Sequence, residues 1–244
     1  MSIETPEILS GGSDMLLLCD HASDRVPKDL DLGVSAELMA KHIAVDIGAA
    51  AVTRRLAGAL DAPAILATVS RLVVDLHREP EHDALIPTIS DGHAIPGNKG
   101  ADRAERIARF HAPYHDSIAR QIAVQRPAFI AAIHSFTPAL ESDGAQRPWE
   151  VGILYNQDDR AARIALRALT ARGVVAGDNE PYSGKLLNAT LNRHGEAAGI
   201  ACMSIEIRND LVRDPAGVAR WAGVIEEILI ETRNTLASGS PSAT

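Results

Sequence analysis

The sequence predicts an α/β protein built as a layered sheet in a single domain, and three observations carry that prediction. Short apolar runs of strand character alternate with longer Ala- and Leu-rich stretches of helical character, the order expected of a sheet covered by helices. Several of the apolar runs stop abruptly at histidine, aspartate, glutamate or arginine, as strands do where they leave the carboxyl edge of a sheet and meet a ligand. No linker or internal repeat divides the 244 residues, a length that one such domain accommodates. The domain is expected over residues 1–237, with SGSPSAT at 238–244 as a flexible tail.

The first apolar run, Met15 to Cys19, reads as a short buried strand. It exits into Asp20, His21, Ser23, Asp24 and Arg25, and Pro27 forbids its continuation as a central strand. Residues 35–60 have helical character, with Asp46 and Gly48 inside the stretch. Residues 64–68 read as a strand, and RLVVDLHR at 71–78 as another, ending in Asp75, His77 and Arg78. Residues 79–99 form a long loop, of the kind that is usually functional or mobile in a compact domain. A helix over 102–125 is interrupted near Pro113. The opening pattern then repeats, an apolar strand at 129–133 delivering His134 and Ser135. A polar loop (141–148), a strand (149–156) and a helix (158–172) capped by Asp158 follow. A short strand with a turn-rich exit, a short helix over 188–199 closed by glycine and a strand over 200–210 precede the last helix, 215–236, with Pro215 at an early position.

Composition narrows the function classes. An apolar content of 46% and a charged content of 23% are ordinary for a soluble globular protein, while 3% aromatics leave the core to Ala, Val, Ile and Leu. A net charge of −8 argues against nucleic acid or an anionic membrane as partner, since either needs a basic face. No run approaches the roughly 18 apolar residues of a membrane span. The amino terminus lacks a basic start followed by an apolar stretch, so no signal peptide is expected. Cys19 and Cys202 both sit in apolar runs and read as small core residues of a reduced compartment. The expected location is the cytoplasm.

Four strand ends carry unusual polar groups: His21 with Asp24, Asp75 with His77 and Arg78, His134, and Glu206 with Arg208. Two histidines and a carboxylate around an open position form a catalytic zinc set, beside which a separate glutamate can serve as base. His21, Asp24 and His134 fit the ligand role and Glu206 the base. Each has a plainer reading: a polar loop, a strand-end histidine bonded to backbone, a surface Glu206–Arg208 pair. His111 and His115 in HAPYH are a competing pair, but Pro113 stands between them and no glutamate does, so the HExxH pattern fails. They read as a helix-start cluster, or as contacts behind the site or to substrate. GxSxG, GxxxxGK[ST] and a strand-borne GxGxxG are all absent, which removes support for the α/β-hydrolase elbow and for nucleotide binding.

DHASDRVP, SRLVVDLHR, HSFTP, NEPYSG and SIEIRND, in this order from about residue 16 to about 210, resemble the N-formylglutamate amidohydrolase family. The resemblance implies a single three-layer α/β/α domain with a central mixed sheet, phosphorylase/hydrolase-like and similar to zinc carboxypeptidases and aspartoacylase-type amidohydrolases. It implies one zinc per chain held by His21, Asp24 and His134, with Glu206 as general base. Arg78 then binds a substrate carboxylate, Arg71 or Arg208 stabilises the oxyanion, and His77 and Tyr182 contact substrate. Two positions depart from the pattern: Asp24 stands where relatives carry glutamate, and His77 where they carry asparagine. The expected reaction converts N-formyl-L-glutamate and water to formate and L-glutamate, a step of histidine degradation. The alternatives are a deacylase or carboxypeptidase for another N-acyl amino acid or peptide, and a non-catalytic small-ligand binding protein.

Overall fold

The computed structural model describes residues 3–239. Its centre is a seven-stranded mixed sheet in the order β1-β3-β2-β6-β9-β7-β8, formed by β1 (Glu7–Leu9), β2 (Met15–Cys19), β3 (Ala64–Leu66), β6 (Phe129–Phe136), β7 (Val151–Leu154), β8 (Ala176–Asp178) and β9 (Ala201–Arg208). A two-stranded hairpin, β4 (Ile89–Ser90) and β5 (His93–Ala94), stands apart. Strands β3, β2, β6 and β9 run parallel, whereas β1 pairs antiparallel to β3 and β7 antiparallel to β9. All five residues of β2 and all eight of β6 are buried, as central parallel strands covered on both faces must be.

Alternation along the strands sends their side chains into two cores. On one face Leu17, Leu66, Ala131, Ile133, Met203 and Ile205 pack under α2 (Ala49–Leu60), α5 (Arg160–Ala171) and α7 (Pro215–Gly239), with Trp221 among the helix residues. On the other, Leu16, Leu18, Ile65, Ile130 and Ala132 meet Phe110, Tyr114 and Ile118 near and in α4 (Ala112–Gln125), and Leu191 of α6 (Ala189–His194). The three-layer arrangement and the mixed sheet agree with the sequence reading.

Three expected elements differ. The helix over 35–60 is two helices, α1 (Ala36–Met39) and α2, parted by turns that carry Asp46; Gly48 caps α2 at φ 82°, a left-handed conformation that ends any continuous helix. The strand at 71–78 is a series of turns, closed by Val73 N–H donating to Ser70 O (2.9 Å) and Arg78 N–H donating to Asp75 O (3.1 Å). Its apolar residues are buried, and a short buried run has the same pattern whether or not it joins a sheet. The interruption near Pro113 is a single π-helical turn, Ile107–His111, between α3 (Arg103–Arg106) and α4. Of the expected tail, Ser238 and Gly239 finish α7, and 240–244 lie outside the described residues. No described helix is long and apolar enough to cross a membrane. Cys19 and Cys202 are free and buried, and burial pushes both thiols up.

Candidate active site and metal centre

The parallel strands β2, β6 and β9 end on the same edge of the sheet. His134 of β6 lies directly opposite Glu206 of β9, and two residues beyond the Leu18–Ala132 pair stand Asp20 and His134. Alongside this edge opens a cavity of about 330 Å³ whose lining includes His21, Asp46, Arg71, Arg78, Tyr182 and Glu206.

His21, Asp46 and His134 converge there. Asp46 Oδ2 lies 2.9 Å from His134 Nδ1 and 3.4 Å from His21 Nδ1, and one donor atom from each of the three falls within 4.8 Å of the others. The far nitrogen of each ring faces another carboxylate: His21 Nε2 is 2.7 Å from Asp75 Oδ1, and His134 Nε2 is 3.2 Å from Asp20 Oδ2. Arg71 ties the carboxylates together, its guanidinium 3.3 Å from Asp46 Oδ1 and 2.8 Å from Asp75 Oδ2. Ser135 N–H donates to Asp46 Oδ2, and Asp46 N–H donates to His21 O, so backbone also holds the turn that carries Asp46 in place.

Asp20, His77 and His134 form a second cluster of the same spacing. Only His77 of that set lines the cavity, and Asp20 also accepts from Tyr114 OH (2.8 Å) and Thr190 Oγ1 (3.1 Å). The donor chemistry therefore favours His21, Asp46 and His134 as ligands, with Asp75 and Asp20 orienting the two rings from behind, the arrangement in which a ligating imidazole donates its other N–H to a carboxylate. Such a mixed nitrogen and carboxylate set fits zinc. Glu206 Oε2 is buried at the same place without a hydrogen bond, while Asp20 Oδ2 and His134 Nε2 face each other as an ion pair whose geometry falls short of one.

Electrostatics follow from this packing. Burial raises the carboxyls of Asp20, Asp46 and Asp75, but the surrounding histidines and Arg71 outweigh it and hold all three well below the usual carboxylate range. Burial lowers His134, and its bonds to Asp20 and Asp46 reverse that and carry it well above the ordinary value. For Glu206 the balance falls the other way: burial, with the Asp46 charge beside it, outweighs the pull of His134, His21 and Arg71 and pushes it up to about 7. A carboxyl that exchanges its proton near neutrality is matched to acid–base work.

The structure thus brings together His21, His134, Glu206, Arg71, Arg78, His77 and Tyr182. Among the described residues the Arg78 guanidinium makes only a long contact of NH1 to His77 O (3.4 Å), and its Nε is buried without a partner. His77 is a buried part of the cavity wall, its Nδ1 3.1 Å from both Asp20 Oδ2 and Thr190 Oγ1. Tyr182 OH accepts from Arg147, whose guanidinium also lies 4.9 Å over the ring. Asp24 and Arg208 are not brought in. Asp24 is exposed and outside both clusters, because the chain leaves the sheet edge after His21, while Asp46 arrives from the turn before α2. Arg208 shares the face of Glu206 but stands at the end of β9, where it binds Asp210 (2.8 Å) outside the cavity. Asp20 and Asp75 were visible in the sequence at the ends of apolar runs. Asp46 had one weak signal, an acid set between Val45 and Ile47 just before Gly48.

A protein from Agrobacterium tumefaciens whose crystal structure is known is similar over 96% of this chain and 96% of its own, at 32% identity and a TM-score of 0.91. The crystal structure of N-formylglutamate amidohydrolase from Ralstonia eutropha JMP134 shares the fold, with a TM-score of 0.71 at 19% identity over 98% of this chain and 100% of that one. Among curated proteins no sequence matches. The family model for N-formylglutamate amidohydrolase matches residues 13–213, the stretch that contains every residue of the site above, and the chain belongs to the N-formylglutamate amidohydrolase family.

Proposed function

We propose that this protein is a zinc-dependent amidohydrolase that removes the acyl group from an anionic N-acyl amino acid, with N-formyl-L-glutamate as substrate and formate and L-glutamate as products. The observation that carries the reading is Glu206: a cavity-lining carboxyl with an unpartnered buried oxygen, directly across the strand pair from His134. His21, Asp46 and His134 are the residues that would hold the metal. When bound, zinc supplies a Lewis acid that polarises the amide carbonyl and brings the pKa of water toward ~7.

Glu206 takes the proton of the attacking water and returns it to the departing amine, a use its elevated pKa suits. Arg71, held by Asp46 and Asp75, keeps a fixed positive charge beside the ligand set, where an oxyanion develops. Arg78 has no carboxylate partner among the described residues, and its planar fork matches a substrate carboxylate. Tyr182 forms part of the cavity wall. The reading extends to a cytoplasmic step of histidine degradation.

Formate release from a panel of N-formyl and N-acetyl amino acids, with and without chelator, tests the proposal. The expected result is turnover of N-formyl-L-glutamate that chelation abolishes and zinc restores, at one zinc per chain. Glu206→Gln should retain the metal and lose about 10²–10⁴-fold in kcat. Protein without metal, and without formate release after zinc is supplied, overturns the reading in favour of a binding protein. Preference for an N-acetyl substrate or a peptide redirects it to a deacylase or carboxypeptidase.

A further inference from the structure

Three histidines outside the ligand set lie buried together behind the cavity: His111, at the end of the π-helical turn, His115 in α4 and His194 in α6. The His111 and His115 rings are 4.2 Å apart between centroids, and His115 and His194 are stacked at 5.1 Å and 14°. Burial pushes all three below the ordinary histidine range, so each is a neutral imidazole with one N–H to give. His111 Nε2 donates to Arg78 O (2.9 Å) and His115 Nε2 to Leu76 O (3.0 Å). His194 Nε2 donates to His115 Nδ1 (2.9 Å), which holds His115 in the tautomer its other bond requires.

Both accepting carbonyls belong to the turn segment that presents Asp75, His77 and Arg78 to the site. That segment joins no sheet and no helix, so its carbonyls have no ladder partner. Among the described residues no acidic side chain pairs with Arg78, Asp75 acting on it only at longer range, in contrast to Arg71, which Asp46 and Asp75 pin from two sides. What fixes the Arg78 guanidinium is therefore the backbone beneath it. The π turn belongs to the same device: Ala112 N–H donates five residues back to Ile107 O, and His111, Tyr114 and His115 are all buried in spite of Pro113. Single π turns inside α-helices occur frequently at functional sites.

We propose that His111 and His115 are positioning residues of a carboxylate clamp: by holding the carbonyls of Arg78 and Leu76 they aim the unpaired Arg78 fork into the cavity and so set the preference for an anionic substrate. The inference rests on the proposed function only for its substrate. His77 and Asp75 sit in the same segment, but each has side-chain partners of its own, His77 with Asp20 and Thr190, and Asp75 with His21 and Arg71. The histidines thus act on the clamp more than on the ligand set.

The test compares wild-type zinc-loaded enzyme with His111→Phe, which keeps a ring but has no N–H, and with His111→Gln, whose amide nitrogen reaches about as far as Nε2. Substrates are N-formyl-L-glutamate and its two monoamides, one at each carboxylate. For His111→Phe the expected result is a KM for the diacid raised about tenfold, the loss of one hydrogen bond to a buried carbonyl. Its kcat should stay within about twofold, and the monoamide that wild type binds less well should be unaffected. His111→Gln should restore most of the difference. Equal losses on the diacid and both monoamides, or a Gln variant no better than Phe, overturns the proposal. If the Phe variant does not fold, His111→Asn, whose amide stops short of Arg78 O, takes its place with the same expectation. Should wild type release no formate from any of the three, the proposed function fails first. Calorimetric binding of L-glutamate to the zinc-loaded wild type and variant then reads the clamp alone, with a tenfold weakening expected and no change overturning it.

Discussion

In the proposed metal centre Asp46 takes the role that sequence spacing assigns to Asp24. Asp24 stands three residues after His21, the separation expected of paired ligands, yet it is exposed, and Asp46 occupies the place between the two histidines. Asp46→Asn is expected to weaken zinc binding by at least about 100-fold in a chelator competition titration, since even groups behind a ligand cost 10–100-fold when removed. Asp24→Asn, as an exposed substitution, should leave the affinity within about twofold. The reverse pattern would return the ligand role to Asp24. The surrounding residues share one logic. Five buried charged or ionisable groups, Asp20, His21, Asp46, Asp75 and His134, are each faced by a group of opposite tendency, so that removing any one strands another.

At the scale of elements, the site depends on where α2 begins. Gly48 at φ 82° ends the turn carrying Asp46 and opens the helix, and a Cβ there would lie 2.3 Å from Val212 O and 2.6 Å from Val212 Cγ2. Gly48→Ala combines left-handed strain with a backbone clash, for an expected loss of at least about 2 kcal/mol in chemical denaturation and a weaker zinc site. Gly58→Ala, in the same helix with nothing within 4 Å, should be neutral or stabilise by up to about 1 kcal/mol. Equal effects from the two substitutions would show that the cap conformation does not matter. Strand β7 makes a comparable accommodation: Gly152 lies opposite Glu206, and a Cβ on it would meet Glu180 O at 2.1 Å.

For the whole molecule, the two cores hold the sheet while the chemistry gathers at the edge where β2, β6 and β9 end. The buried histidine cluster links that edge to global stability. Burial, aided by Arg193, depresses His194 to about 4, and burial with His111 and His194 depresses His115 to about 2, against an unfolded value of 6.5. Between those values the unfolded chain binds more protons than the folded one, so stability is complete above pH 6.5 and declines as pH falls through 6.5 toward 4 and below. A series of Tm values from pH 7 to pH 4 should show this decline, and His194→Asn should flatten it over that window. A variant with an unchanged slope would remove His194 from the acid response.

The strand sequence of β2, β6 and β9, the helices of both outer layers, and the histidines at the strand exits were determined by the sequence itself. Their signals are local: apolar runs long enough to be buried, helical periodicity, and polar residues placed where such runs stop. Strand-borne Glu206 was legible for the same reason, as a carboxylate between two isoleucines has to find a site. What only the tertiary structure decided is which groups meet. Asp46 lies 25 residues from His21 and 88 from His134, and no spacing within any one stretch encodes that approach. The buried turns at 71–78 have a strand's apolar pattern, because burial is what the pattern reports and sheet pairing is not. Arg208 and Asp24 carry the right chemistry at the right local spacing but lie outside the cavity lining, since where a strand ends and how its loop departs are set by packing across the whole sheet edge.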